Sequence, residues 1–165
     1  MRLAREHTDL TSYQIERLRT LVSEWGLIAD LGFADLVLWV PTWNGGGFVA
    51  IAHQRPDTGR TQFTQDVVGT FVAKGRRPLL DRALASALPQ SDNWDSSAME
   101  QRVYPVLDGN RVVALLTRYS TRVEKPEPGR LEASYLAAAD DLCDMVVAGS
   151  FPGRGATTGM AMRVG

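Results

Sequence analysis

The apolar positions of this chain change period along its length. Between Ser12 and Ala29, Ile15, Leu18, Leu21, Val22, Trp25, Ile28 and Ala29 recur at three- and four-residue steps, with Glu16, Arg17, Arg19 and Glu24 off the stripe. That spacing predicts a helix over 12–29. Thr11 and Gln14 fit a capping box at its start. The stripe is wider than one core contact needs, so packing on the chain's own sheet and pairing with a second partner both stay open. Asp35 to Val40 (DLVLWV) is continuously apolar and reads as a strand, and Phe48 to His53 (FVAIAH) returns across Pro41 to Gly47 (PTWNGGG). Asn44-Gly45 is the strongest turn signal there. Pro56-Asp57-Thr58-Gly59 marks another turn. Gln62 to Ala73 predicts a short strand and a connection. Pro78 suits the first position of a helix carrying Leu80, Ala83, Leu84, Ala87 and Leu88, closed by Pro89.

Gln90 to Ala98 is polar and loop-like. Met99 to Leu107 and Arg111 to Tyr119 form a second hairpin across Asp108-Gly109-Asn110, and Val112 to Leu116 reads as a central strand buried on both faces. After the breaker Glu124 to Gly129, Leu131, Tyr135, Ala138, Leu142 and Met145 set an apolar face on a last helix that Gly149 and Phe151-Pro152 stop. The strands come in hairpin pairs and do not alternate with helices. That order predicts an α+β fold: an antiparallel sheet with the terminal helices on one face and the middle helix on the other. Residues 1–11 read as an N-terminal arm, 12–152 as the domain and 153–165 as a flexible linker.

Composition narrows the classes. At 165 residues, with 44% hydrophobic and 22% charged residues, the chain suits one soluble domain with a real core. A net charge of -1 argues against direct nucleic-acid binding. No apolar run approaches a membrane span and the first twelve residues lack a signal-peptide core, which points to the cytoplasm and away from membranes. A single cysteine excludes an internal disulfide and a cysteine-based zinc site.

Candidate chemistry is sparse. No Gly-x-Ser-x-Gly elbow or phosphate-binding loop is present, so no catalytic residue is assigned. Gly45-Gly46-Gly47 reads as a turn. Asp140, Asp141 and Asp144 read as a solvated acidic face, Cys143 as a small buried apolar residue, and no metal site is assigned. His53 suits either a structural role or a ligand contact. Arg55, Arg102 and Arg118 lie on or beside predicted strands, where a guanidinium needs a carboxylate partner or an anion; Asp66 and Glu100 are the internal partners on offer. Trp39, Phe63 and Tyr104 suit either core or pocket lining. The candidate ligand-binding set is therefore Trp39, His53, Arg55, Asp66, Arg102 and Arg118. If two chains pair through the terminal helices, Leu18, Val22, Trp25, Leu142 and Met145 are the candidate interface.

Five segments in order carry a resemblance: EWGLIADLGFADLVLWVP (Glu24 to Pro41), RPDTGRT (Arg55 to Thr61), VVGTFVA ahead of RRPLLDRAL, RVVALLTR (Arg111 to Arg118) and RLEASYLAAADDLCDMVVAGSFP (Arg130 to Pro152). Together they resemble the N-terminal GAF domain of actinobacterial cytosolic sensor histidine kinases of the PdtaS type. The resemblance implies a non-catalytic sensory domain in two-component signalling, followed in its parent by a PAS domain and by dimerisation, phosphotransfer and ATPase segments. ATP and Mg would belong to that parent kinase, and no cofactor to this chain. The implied partners are a second copy in a homodimer, the downstream PAS and kinase modules, a response regulator with an RNA-binding antitermination domain, and a small-molecule ligand such as a cyclic nucleotide. Relatives carry cysteines near the strand holding Ala50 and Gln54, and this chain has none there, which argues against thiol or copper sensing through that strand. A ligand-free dimerisation module and a small standalone enzyme are the alternative readings.

Overall fold

In the computed structural model, residues 1–57, 61, 63, 65–92, 99–121 and 129–153 are described. The elements are α1 (Arg2–His7), α2 (Ser12–Glu24), α3 (Gly26–Gly32), β1 (Ala34–Pro41), β2 (Gly47–Gln54), β3 (Phe71–Ala73), α4 (Pro78–Ser86), β4 (Gln90–Ser91), β5 (Met99–Asp108), β6 (Arg111–Thr121) and α5 (Arg130–Ala148). The strands form one sheet in the order β3-β2-β1-β6-β5-β4, with every pair antiparallel. Two apolar clusters lie on its two faces. Leu36, Leu38, Val40, Tyr104, Val106 and Leu116 meet α2, α3 and α5, whereas Val37, Trp39, Phe48, Leu115 and Tyr119 meet α4. The expected α+β architecture, terminal helices on one face and the middle helix on the other, is what the chain forms.

Both hairpins follow their turn signals. Asn44 Oδ1 accepts from Gly46 N (2.9 Å) and from Thr42 Oγ1 (2.8 Å), and Gly45 adopts φ 69°, a backbone conformation that favours glycine. Gly47 is required for a different reason: a Cβ there would lie 2.1 Å from the Val72 carbonyl oxygen, inside the β2–β3 pairing. The second hairpin turns at Gly109, φ 60°.

Four local expectations are corrected. The helix over 12–29 is two helices: Trp25 ends α2, and α3 restarts at Gly26, a weak helix former. The capping box at Thr11 and Gln14 is present. Residues 1–11, expected as an arm, carry α1; Ala4 is fully buried, and Met1, Leu3 and Leu10 pack on the same cluster as α2. Of the strand expected within 62–73, only Phe71–Ala73 pairs, on the sheet edge. Gln90–Ser91, expected as loop, pairs with Arg102 and Val103. The turn at Thr58-Gly59, most of the polar loop (93–98), most of the breaker (124–128) and the tail (154–165) lie outside the described residues.

α5 ends as its sequence requires. Gly149 takes φ 79°, Ser150 N donates to the Met145 carbonyl (2.9 Å), and Phe151 packs back on the helical core. α3 lies alongside α5, so it is the second part of the split N-terminal helix that accompanies the last helix. Among the described residues no helix is long and apolar enough to cross a membrane.

Candidate functional site

The six candidate ligand residues do not converge. They divide between the faces of the sheet, and the division follows strand register. Arg102 of β5 stands directly opposite Arg118 of β6 on the α5 face. Two like charges in cross-strand register repel unless compensated, and here two carboxylates compensate them. Arg102 Nε donates to Glu100 Oε1 (2.7 Å) and its Nη1 to Asp140 Oδ1 (3.2 Å), while Arg118 Nη1 donates to the same Asp140 oxygen. Arg118 is 4% exposed. Burial is the largest influence and opposes its charge, yet the Asp140 hydrogen bond, Cys143, Tyr104 and the Asp140 charge together outweigh that cost and hold the guanidinium above its ordinary pKa. Arg102 is shifted the same way: burial lowers it, and the hydrogen-bonded Glu100 carboxylate, with Tyr104 beside it, more than offsets the loss. The guanidinium of Arg118 also lies against α3, where a Cβ on Gly32 would come within 3.0 Å of Nε. Arg118 thus ties β6 to both α3 and α5. Glu100, one of the two expected partners, pairs with Arg102 alone, and Asp140, which the sequence places on an acidic helix face, pairs with both arginines. Its neighbours Asp141 and Asp144 are exposed.

The opposite face is built differently. Asp35, at the start of β1, is fully buried. Its Oδ1 meets His53 Nε2 (3.0 Å) and accepts from Thr61 Oγ1 (2.6 Å). The His53 ring meets Phe63 edge-on (5.3 Å), and Phe63 meets Tyr119 edge-on (4.9 Å). Arg77, just before α4, donates from Nη1 to Tyr119 Oη (3.4 Å) and lies 5.7 Å over the Trp39 ring. Burial pushes the Tyr119 hydroxyl up in pKa, and Arg77 pulls partly against it. Trp39 and Thr117 lie near this hydroxyl, but neither Trp39 Nε1 nor Thr117 Oγ1 reaches hydrogen-bond geometry with a described residue, although both atoms are buried. A buried polar atom left unpaired costs ~1–3 kcal/mol. This face therefore presents donors (an indole N–H, a guanidinium and two hydroxyls) beneath α4.

The remaining candidates are peripheral. Arg55 is exposed, with no ion pair to a described residue. Asp66 is also exposed and accepts from Val68 N (3.0 Å), a local turn and not a partner for Arg55. A separate groove of about 420 Å³ opens at the hairpin end of the sheet between Trp43, Leu84, Ala87 and Arg111. None of the six lines it. Among the described residues no group of three His, Cys, Asp or Glu could hold a metal. Sequence reasoning missed Asp35, Thr117, Tyr119, Arg77 and Asp140. The first three carried a readable signal, polar groups inside otherwise apolar strands.

The candidate interface set also divides. Leu18 and Trp25 are almost wholly buried in the chain's own core, so they cannot face a second chain. Val22 and Leu142 are partly buried against that core, and Met145 is 38% exposed. Cys143 is fully buried, and burial pushes its thiol up to about 11. It behaves as the small apolar residue its position suggests.

Comparison with known proteins agrees with this architecture. Residues 1–139 match the family model for the GAF domain of histidine kinase PdtaS. The chain is 36% identical over 161 residues to the sensor histidine kinase PdtaS of Mycobacterium tuberculosis, covering 93% of this chain and 32% of that protein. It is 32% identical to the PdtaS of Mycolicibacterium smegmatis, with the same coverage. The chain thus spans about a third of these relatives' length. A solved sensor region of a sensor histidine kinase superposes with a TM-score of 0.78 at 36% identity, covering 92% of this chain and 53% of that one. By this family model over residues 1–139 and these relatives, the chain belongs to the GAF domains of PdtaS-type sensor histidine kinases.

Proposed function

We propose that this chain is a cytoplasmic ligand-sensing domain that regulates a histidine kinase to which it is joined, in a two-component pathway. The kinase itself, with its ATP and Mg, lies in other segments of such a parent, as do the downstream PAS module and the response regulator with its antitermination domain. The observation that carries the sensing role is the unpaired polar pair, Trp39 Nε1 and Thr117 Oγ1, buried beside Arg77 and Tyr119 under α4. A ligand offering oxygen acceptors, a cyclic nucleotide among them, satisfies these donors. The route out of the site is the central strand β6. Thr117 and Tyr119 face the donor cluster, and Arg118 between them points to the other face and holds Asp140 of α5. A ligand that shifts β6 therefore acts on α5 through one ion pair, limited by its differential affinity for the two states.

A second reading has its own support. Trp39, Phe48, Leu80, Leu115 and Tyr119 already fill the α4 face, as a ligand-free assembly domain requires. Thermal denaturation with a panel of cyclic nucleotides separates the two. A state-selective ligand stabilises the chain by ~2.7 kcal/mol at a hundredfold excess over Kd and so raises the midpoint by mass action, and Thr117→Val removes the response. No shift with any member of the panel favours the ligand-free domain.

A further inference from the structure

The groove at the hairpin end of the sheet lies where the chain leaves the domain. Leu10, Pro41, Trp43, Leu84 and Val112 wall a volume of about 420 Å³. Trp43 is 70% exposed, more than any other large apolar side chain among the described residues. An open indole set in a concave wall with four other apolar residues is a patch, not a scattered side chain. The contacts of α5 show where the chain goes next. Asp140 bonds Arg102, Cys143 lies near Tyr104, and Phe151 packs on the cluster that holds Val106. α5 therefore runs alongside β5 toward the turn at Gly109 and Asn110, and Asn110 lines the groove. Leu10 packs on that same cluster and lines the groove as well.

We propose that this groove holds the segment that follows α5, residues 159–164 (GMAMRV), folded back on its own domain. The steps from Gly153 to Met160 span up to ~25 Å, ample for a domain whose radius of gyration is ~15 Å. In an extended segment Met160, Met162 and Val164 share one side. Methionine fits an irregular apolar groove and gains from sulfur contact with an aromatic ring, here Trp43. Charge agrees with this placement. Residues 154–165 carry Arg154 and Arg163 and no acidic residue. α4 has no basic residue in its last turn, where Leu84 and Ala85 line the groove, so its C-terminal carbonyls favour an added cation. Asp9, half of an exposed pair with Arg111, stands on the same wall. α4 then meets the donor cluster through Arg77 at one end and the departing segment at the other, a link that does not pass through Asp140. That link matters only if the α4 face takes a ligand; the docking does not depend on it.

Methyl NMR of the whole 165-residue chain, labelled at its five methionines, tests it. Against an indole face, the Met160 or Met162 methyl should resonate upfield of its position in a peptide of residues 154–165. Trp43→Ala should return it there while Met99 and Met145 stay in place; Trp43 is exposed, so its loss spares the core. Met160→Ser with Met162→Ser should in turn move the Trp43 indole resonance and leave those of Trp25 and Trp39 alone. Disulfide closure gives a second readout, because the native thiol is buried and does not compete. Paired with Met162→Cys, Ala85→Cys in the groove should close at least ~10-fold faster than Lys74→Cys, exposed at the same end of the sheet, through its higher effective concentration. Methyls at their peptide positions, or upfield shifts that survive Trp43→Ala, overturn the docking. Equal closure rates at 85 and 74 overturn the site. A methyl shift that grows with chain concentration gives the groove to a second copy's tail and overturns the folding back.

Discussion

The two faces of the sheet solve the same problem, burial of polar side chains on a central strand, in opposite ways. On the α5 face, Arg118 and Arg102 are held by Glu100 and Asp140, although the buried Arg118 Nε has no hydrogen-bond partner among the described residues. On the α4 face, Asp35, His53 and Thr61 satisfy one another, but Trp39 Nε1 and Thr117 Oγ1 are left without partners in reach. An ion-pair network fixes geometry, because removing one member strands another charge. An incomplete set of donors carries a standing cost that an added acceptor relieves. The first face suits holding a helix in place, and the second suits answering a ligand. Consecutive residues of β6, Thr117, Arg118 and Tyr119, serve the two faces alternately.

The sharpest way to break this contrast is at the edge of the α4 face. Gly47→Ala puts a Cβ against the Val72 carbonyl, which neither backbone can avoid, so β3 must leave the sheet and uncover Val72. The expected loss is ~3 kcal/mol, read by chemical denaturation, and hydrogen exchange should rise first in β2 and β3 and not in β5. Next comes the α5 face. Asp140→Ala leaves the buried Arg118 without its carboxylate; with Asp140 itself 43% exposed, solvent screening brings the expected cost to ~2 kcal/mol, or a midpoint lower by ~4–8 °C. Asp141→Ala, one residue along on the exposed side, should change it by less than ~0.5 kcal/mol. Equal effects at 140 and 141 would mean that α5 is not keyed to the sheet through Asp140.

These positions differ in how far the sequence announced them. The hairpins were legible because alternation and turn chemistry agree at Asn44-Gly45 and at Asp108-Gly109. β4 was not, since two polar residues carry no period. The break at Trp25 was hidden because Ile28 and Ala29 continue the stripe of α2 in phase. Arg102 and Arg118 were legible as buried cations with a nearby carboxylate, but Asp140 was not, because a helical aspartate beside Asp141 and Asp144 reads as solvated until a strand passes under it. Which face each candidate occupies depended on register. The irregularity between Leu38 and Trp39 pairs Leu38 with Ala52 and Trp39 with Ala50. Strict alternation along β2 would set His53 with Val49 and Ile51 on the helical face; the extra residue turns it to the side of Asp35 and Trp39. A bulge of one residue leaves no mark in composition or periodicity.

A smaller and opposite effect sharpens the contrast. Thr117→Val exchanges an unpaired buried hydroxyl for a methyl of the same shape, so the chain without ligand should gain ~1 kcal/mol. A loss instead would show that the hydroxyl is already satisfied, and the two faces would then be alike.

The smallest effect at neutral pH is at Cys143. Burial raises its thiol from an ordinary 9.0 to about 11, with Arg118 pulling partly the other way. Tyr104 and Tyr119 are raised as well, chiefly by burial. In each case the folded chain holds its proton more tightly than the unfolded chain. The resulting stability is therefore fully present below the ordinary values and is lost as pH rises through the folded ones. Denaturation midpoints should be flat near neutrality and fall between pH 9 and about 11. Cys143→Ala should flatten part of that slope while leaving the tyrosine part from both faces. The native thiol should react with a disulfide reagent at pH 8 only as fast as the helix opens. Rapid labelling under native conditions would place Cys143 at the surface and undo the close docking of α5 on which the ion-pair route depends.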